Sequence, residues 1–101
     1  MDHAPYPKEP ITRPNAPLPK DACDTHIHML ADDFPLWNGR AEDPAPGGLK
    51  DWLERYRRHC KTLGIQRTVV VHSILYGANN TLTKAAVAAL GRDARGIGLV
   101  T

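Results

Sequence analysis

The residues of this 101-residue chain whose types and spacing suit chemistry are Asp24-Thr25-His26-Ile27-His28. In an extended strand residues i and i+2 share a face. A strand from Cys23 to Met29 would therefore aim Asp24, His26 and His28 one way and Thr25 and Ile27 the other. Two imidazoles would converge on one point, and neutral ring nitrogens there are good ligands for a divalent ion such as zinc, with positions left for further ligands and a water. The plainer alternative stands beside this one: a strand histidine pair satisfied by backbone carbonyls and water. A polar loop follows at once, and the end of a strand opening into a loop is where α/β enzymes place their chemistry.

The elements that must hold this stretch are legible from periodicity. Leu49, Trp52, Leu53, Tyr56, Cys60 and Leu63 fall on one face of a helix, with Lys50, Asp51, Glu54, Arg55, Arg57, Arg58 and Lys61 on the other, and Gly64 is placed to end it. Thr68 to His72 is β-branched and apolar on both faces, as a buried parallel strand is. The loop after it collects Ser73, Tyr76, Asn79 and Asn80, and Asn80 is expected to cap a helix over Thr81 to Leu90 that Gly91 closes. Gly96 to Val100 reads as a third strand. Strands near Ala22 to His28, Thr68 to His72 and Gly96 to Val100, alternating with two helices, make a β-α-β-α-β series of parallel strands with right-handed crossovers.

Two stretches lack such periodicity. Residues 1–20 hold six of the nine prolines and read as an extended arm, either lying along the body or free of it, with His3 and Tyr6 facing solvent. Ala31 to Gly48 is long for a structureless connection; its Phe34, Leu36 and Trp37 suit either a lid over a ligand or an anchor to the body, and Arg40 could meet a carboxylate. A net charge of +2 does not imply nucleic acid or an anionic membrane as partner. No apolar run is long enough to span a bilayer or to serve as a signal peptide, so a cytoplasmic location is expected. Cys23 and Cys60 form no disulfide framework and read as reduced packing residues.

Asp24-Thr25-His26-Ile27-His28, the Phe34-Pro35 loop and the block from Leu63-Gly64-Ile65 through Val69-Val70-Val71-His72-Ser73-Ile74-Leu75-Tyr76-Gly77-Ala78-Asn79-Asn80 together resemble the start of an amidohydrolase-superfamily protein, over roughly Ala22 to Val100. The branch resembled is that of 2-pyrone-4,6-dicarboxylate lactonase and related sugar-acid lactone enzymes. Ala78-Asn79-Asn80 departs from the Thr-Asp-Asn usual there, and His72 stands where glutamine is expected. The resemblance implies an α/β fold, the N-terminal β-α-β-α-β portion of a (β/α)₈ TIM barrel left incomplete, with the barrel part at 21–101. It implies a hydrolase attacking a lactone or amide carbonyl of a small carboxylated substrate. His26 and His28 would be the catalytic pair, either binding zinc or a similar ion, or acting without a metal by polarising the carbonyl. Ser73, Tyr76 and Asn80 would contact the substrate. A general base would lie past Thr101, so the 101 residues would be inactive alone. A metal-dependent phosphodiesterase like the TatD nucleases, which share the His-x-His, and a non-catalytic βαβ binding protein are the alternatives.

Overall fold

The β-branched run at the middle of the chain becomes the middle of the sheet. In the computed structural model, which describes residues 2–101, β2 (Arg67–Val71) lies between β1 (Cys23–Ile27) and β3 (Ala94–Ile97), and both neighbours run parallel to it. Helix α1 (Leu49–Leu63) joins β1 to β2, and α2 (Thr81–Leu90) joins β2 to β3, with 3₁₀ turns at Ile74–Tyr76 and Gly91–Asp93. The helices have the bounds that apolar periodicity predicts, and Gly64 closes α1 in the left-handed conformation with its N–H on the Cys60 carbonyl.

Both helices pack on the sheet face that carries Thr68, Val70 and His72. The Tyr56 hydroxyl of α1 meets Thr68 Oγ1 at 2.7 Å, and Thr83 of α2 meets the His72 ring. Between them Val70, Leu53, Trp52, Leu82 and Ala86 form the core, which Met29, Ala31 and Tyr76 extend beyond the carboxyl ends of β1 and β2.

The barrel expectation is corrected here. The described residues make a small α/β unit whose three strands form an open sheet with two helices. The third strand also starts two residues and ends three residues earlier than expected, because β2 ends at Val71, opposite Ile97, and residues past Ile97 have no neighbouring strand to pair with.

The proline-rich arm is docked, and His3 and Tyr6 are bonded rather than simply solvent-facing. His3 makes a parallel bridge to Asp43, its ring nitrogen meets the Pro44 carbonyl at 3.1 Å, and the Tyr6 hydroxyl donates to Pro46 O at 2.7 Å. Arg55 of α1 lies over the Tyr6 ring, 4.7 Å from its centroid, and 5.6 Å from that of Trp52. Glu9 takes two hydrogen bonds from Arg58, which hold its carboxyl below the usual range.

Candidate active site

The two histidines do converge. His26 ends up near the end of β1 and His28 one residue past it; both are exposed, and their rings meet edge to face with centroids 5.1 Å apart. His28 Nδ1 lies 2.9 Å from the carbonyl oxygen of Val71, the last residue of β2. A carbonyl only accepts, so Nδ1 carries the hydrogen. In the neutral ring that leaves Nε2 as a free lone pair.

Asp24 does not join them. In β1 Asp24 is opposite Thr68 and Ile27 is opposite Val70, so three steps along β1 match two along β2. This irregularity puts Asp24 and Ile27 on the helix face and leaves His26 and His28 for the open one. Burial pushes the Tyr56 phenol and the Cys60 thiol of α1 upward, and the charge of Asp24 adds to both shifts. The Asp24 carboxylate instead accepts from the His26 backbone N–H at 3.2 Å.

The metal centre expected on His26 and His28 is therefore corrected. Among the described residues no three His, Cys, Asp or Glu side chains come together as a cation site, and the bulge that turns Asp24 away removes the nearest third donor.

The loop after β2 holds its polar groups in other work than expected. Ser73 Oγ accepts from Leu75 N at 3.2 Å and starts the 3₁₀ turn. Tyr76 is 3% exposed, and its hydroxyl donates to Ala31 O and accepts from Ala31 N, both at 2.8 Å; burial raises its pKa. Asn80 bonds the backbone of Leu99 through Oδ1 and Nδ2, each at 2.9 Å. It gives α2 no side-chain cap; Asn79 does that, accepting from Thr81 N at 3.1 Å. His72 is buried, with Nε2 on Gly77 O at 2.7 Å and Nδ1 on Thr83 Oγ1 at 2.8 Å. The Gly77 carbonyl makes Nε2 the donor, so Nδ1 of the neutral ring accepts the Thr83 hydroxyl proton.

The Phe34 to Trp37 segment is an anchor in this structure. Trp37 N donates to Leu75 O at 2.7 Å, the indole lies over Gly77, and Phe34 and Leu36 pack on the core. Gly77 sits at φ 58° and ψ −140°, a region open to glycine, and a Cβ there would come within 3.0 Å of the Trp37 ring. Arg40 is spent on Asp43, at 2.7 Å, and on the Trp37 carbonyl, and its hydrogen bond holds the Asp43 carboxyl below the usual range.

Beside His28, at the free edge of β1, a cleft of about 220 Å³ opens between the arm and α1. Its wall is mainly apolar, with Pro7, Ile27, Trp52 and Tyr56, and it includes Lys8 and the ion pair of Arg55 with Glu9, 3.6 Å apart. Sequence reasoning did not find it, because its arm wall has no periodicity and the contacts that dock the arm span about forty residues. No helix among the described residues is long and apolar enough to cross a membrane.

No protein-family model matches the chain. The chain is 34% identical over 89 residues to D-galactarolactone isomerase of Agrobacterium fabrum, covering 88% of this chain and 30% of that protein. It is 37% identical over 82 residues to 4-sulfomuconolactone hydrolase of Rhizobium radiobacter, covering 79% of this chain and 26% of the relative. The apo crystal structure of an Agrobacterium tumefaciens protein superimposes with a TM-score of 0.74 at 30% identity, over 88% of this chain and 31% of that one. The chain thus spans less than a third of the length of these proteins. The expected likeness to lactone enzymes is met by both named relatives, but neither is a nuclease or is called an amidohydrolase, and the amidohydrolase resemblance is corrected by these matches. What this chain is similar to, over most of its length, is a lactone isomerase and a lactone hydrolase.

Proposed function

We propose that the site at the end of β1 acts on the ring ester of a small carboxylated lactone, with His26 and His28 as its catalytic pair. The observation that carries this reading is the hydrogen bond of His28 through Nδ1, the one it makes among the described residues. It commits Nδ1 to the Val71 carbonyl and leaves Nε2 free beside a second imidazole. Histidine is the side chain whose charge changes in the neutral range, so a pair with an open nitrogen is suited to moving one proton.

For hydrolysis, His28 Nε2 takes a proton from water as the water oxygen bonds to the lactone carbonyl carbon. The tetrahedral adduct then collapses, the ring C–O bond breaks, and the departing alkoxide takes the proton from the imidazolium, giving a hydroxy acid. His26, edge-on to His28, steadies the charged ring and the adduct. Lys8, in the wall of the neighbouring cleft, suits the carboxylate of such a substrate, whereas Arg55 there is already paired with Glu9. Ser73 is the proposed contact from the loop after β2, while Tyr76 and Asn80 act in this reading by holding the surrounding loops. The likeness to an isomerase favours a second version, in which the same pair takes the proton of another hydroxyl of the lactone, that oxygen bonds to the carbonyl carbon, and the original ring C–O bond breaks with its oxygen taking the proton back.

The test is proton NMR of sugar-acid lactones and unsaturated γ-lactones incubated with the chain. Saturable ring opening or isomerisation is expected, because in this reading His28 Nε2 is itself the base that the resemblance placed past Thr101; it is lost in His28→Ala and kept in His3→Ala. Turnover that survives His28→Ala at the wild-type rate rejects the assignment.

A further inference from the structure

We propose that Tyr76 is the positioning residue of the histidine pair, acting through the backbone of Ala31. The assignment deepens the lactone reading and rests on it for its catalytic consequence, though not for its structural one.

Ala31 is fully buried, three residues past His28, in a segment that belongs to no strand or helix. Its N–H and C=O therefore need partners that secondary structure does not supply. One oxygen supplies both: the Tyr76 hydroxyl accepts from the N–H and donates to the C=O, at 2.8 Å each. Few side chains can do this. A hydroxyl is donor and acceptor at once, and only the length of a phenol reaches from the turn after β2 to the chain leaving β1.

The clamp joins the same two segments as the His28 bond. His28 and Ala31 lie just past β1, while Val71 ends β2 and Tyr76 follows it by five residues. The buried clamp and the exposed His28–Val71 bond thus run in parallel, and the buried one sets the spacing that the exposed one needs. Tyr76 is itself held from behind. The His72 ring lies 6.3 Å from it, centroid to centroid, and ties Gly77, the next residue, to Thr83 of α2. Replacing the phenol by phenylalanine keeps the ring but leaves two buried backbone groups without partners. The segment must then shift toward water, and His28 shifts with it.

The experiment is long-range ¹H–¹⁵N NMR of the histidine rings in wild type and Tyr76→Phe, with lactone kinetics alongside. Wild-type His28 is expected as the Nδ1–H tautomer, and Tyr76→Phe as a mixture with substantial Nε2–H, while His72 stays Nε2–H in both. In the kinetics kcat falls at least tenfold and KM stays within twofold. A folded Tyr76→Phe whose His28 tautomer matches wild type overturns the proposal, as does a rise in KM with kcat unchanged, the mark of a substrate contact. Amide exchange of wild-type Ala31 needs no variant. Slow exchange at this residue supports the clamp, and exchange at the rate of free peptide refutes it. If wild type turns over no lactone, the reaction reading fails, and the tautomer and exchange data still decide the clamp.

Discussion

His28 and His72 occupy matching places, each one residue past the end of a parallel strand, yet the structure uses them in opposite ways. His72 is buried, and each ring nitrogen has a fixed partner, one donor and one acceptor. His28 is exposed, has one nitrogen tied to Val71, and keeps the other open. A histidine with both nitrogens committed is a brace. One with a single nitrogen committed is oriented and still able to react. The second strand end is the rigid one, with His72, Tyr76, Trp37 and Gly77 locked together, and the first strand end is held against it.

The sharpest way to break this contrast is to delete each ring. His72→Ala leaves the Gly77 carbonyl and the Thr83 hydroxyl buried without partners and opens a cavity beneath the turn. A loss of about 2–5 kcal/mol is expected in urea unfolding. A loss below about 1 kcal/mol would mean that His72 is no brace.

Alkaline pH probes the same buried side. Burial raises the Tyr76 phenol above its ordinary value of 10.0, and burial likewise raises Tyr56. The folded state therefore holds these protons more tightly than the unfolded chain does. Stability from these groups is complete below pH 10 and declines as pH rises past it toward the folded values. Unfolding midpoints measured from pH 8 to 11 should fall at the upper end, and less steeply in Tyr56→Phe, where one of the phenols is gone. An unchanged slope in that variant would assign the decline elsewhere.

The smallest effect is expected at the reactive ring. His28→Ala removes one exposed hydrogen bond and should cost about 1 kcal/mol or less, although it abolishes the proposed turnover. A cost equal to that of His72→Ala would erase the difference between the two strand ends.

The parts of this architecture that repeat were legible in the sequence. Leu49 to Leu63 and Thr81 to Leu90 advertise their helices through the 3.6-residue spacing of apolar side chains, and Val69-Val70-Val71 could hardly be other than a buried strand. The convergence of His26 and His28 followed from the two-residue period. That same period misplaced Asp24, because a bulge inserts one residue into β1 and strict alternation carries no signal of it. Asn79 and Asn80 were exchanged in role for a similar reason: either can cap a helix, and the contact that occupies Asn80 comes from Leu99, nineteen residues away. The Tyr76 clamp joins residues 45 apart, and no local pattern announces it.

The docked arm has a consequence for the order in which the molecule is assembled. Its anchors pair Tyr6 with Pro46 and Glu9 with Arg58, across 40 and 49 positions of chain. Closing loops of that length costs entropy before any contact returns it, and the receiving surface exists only once α1 has formed. During synthesis the arm emerges before the α1 surface that receives it, and it can settle only after that surface has formed. Until then it is a proline-stiffened segment without its anchors, and the cleft beside His28 lacks one wall.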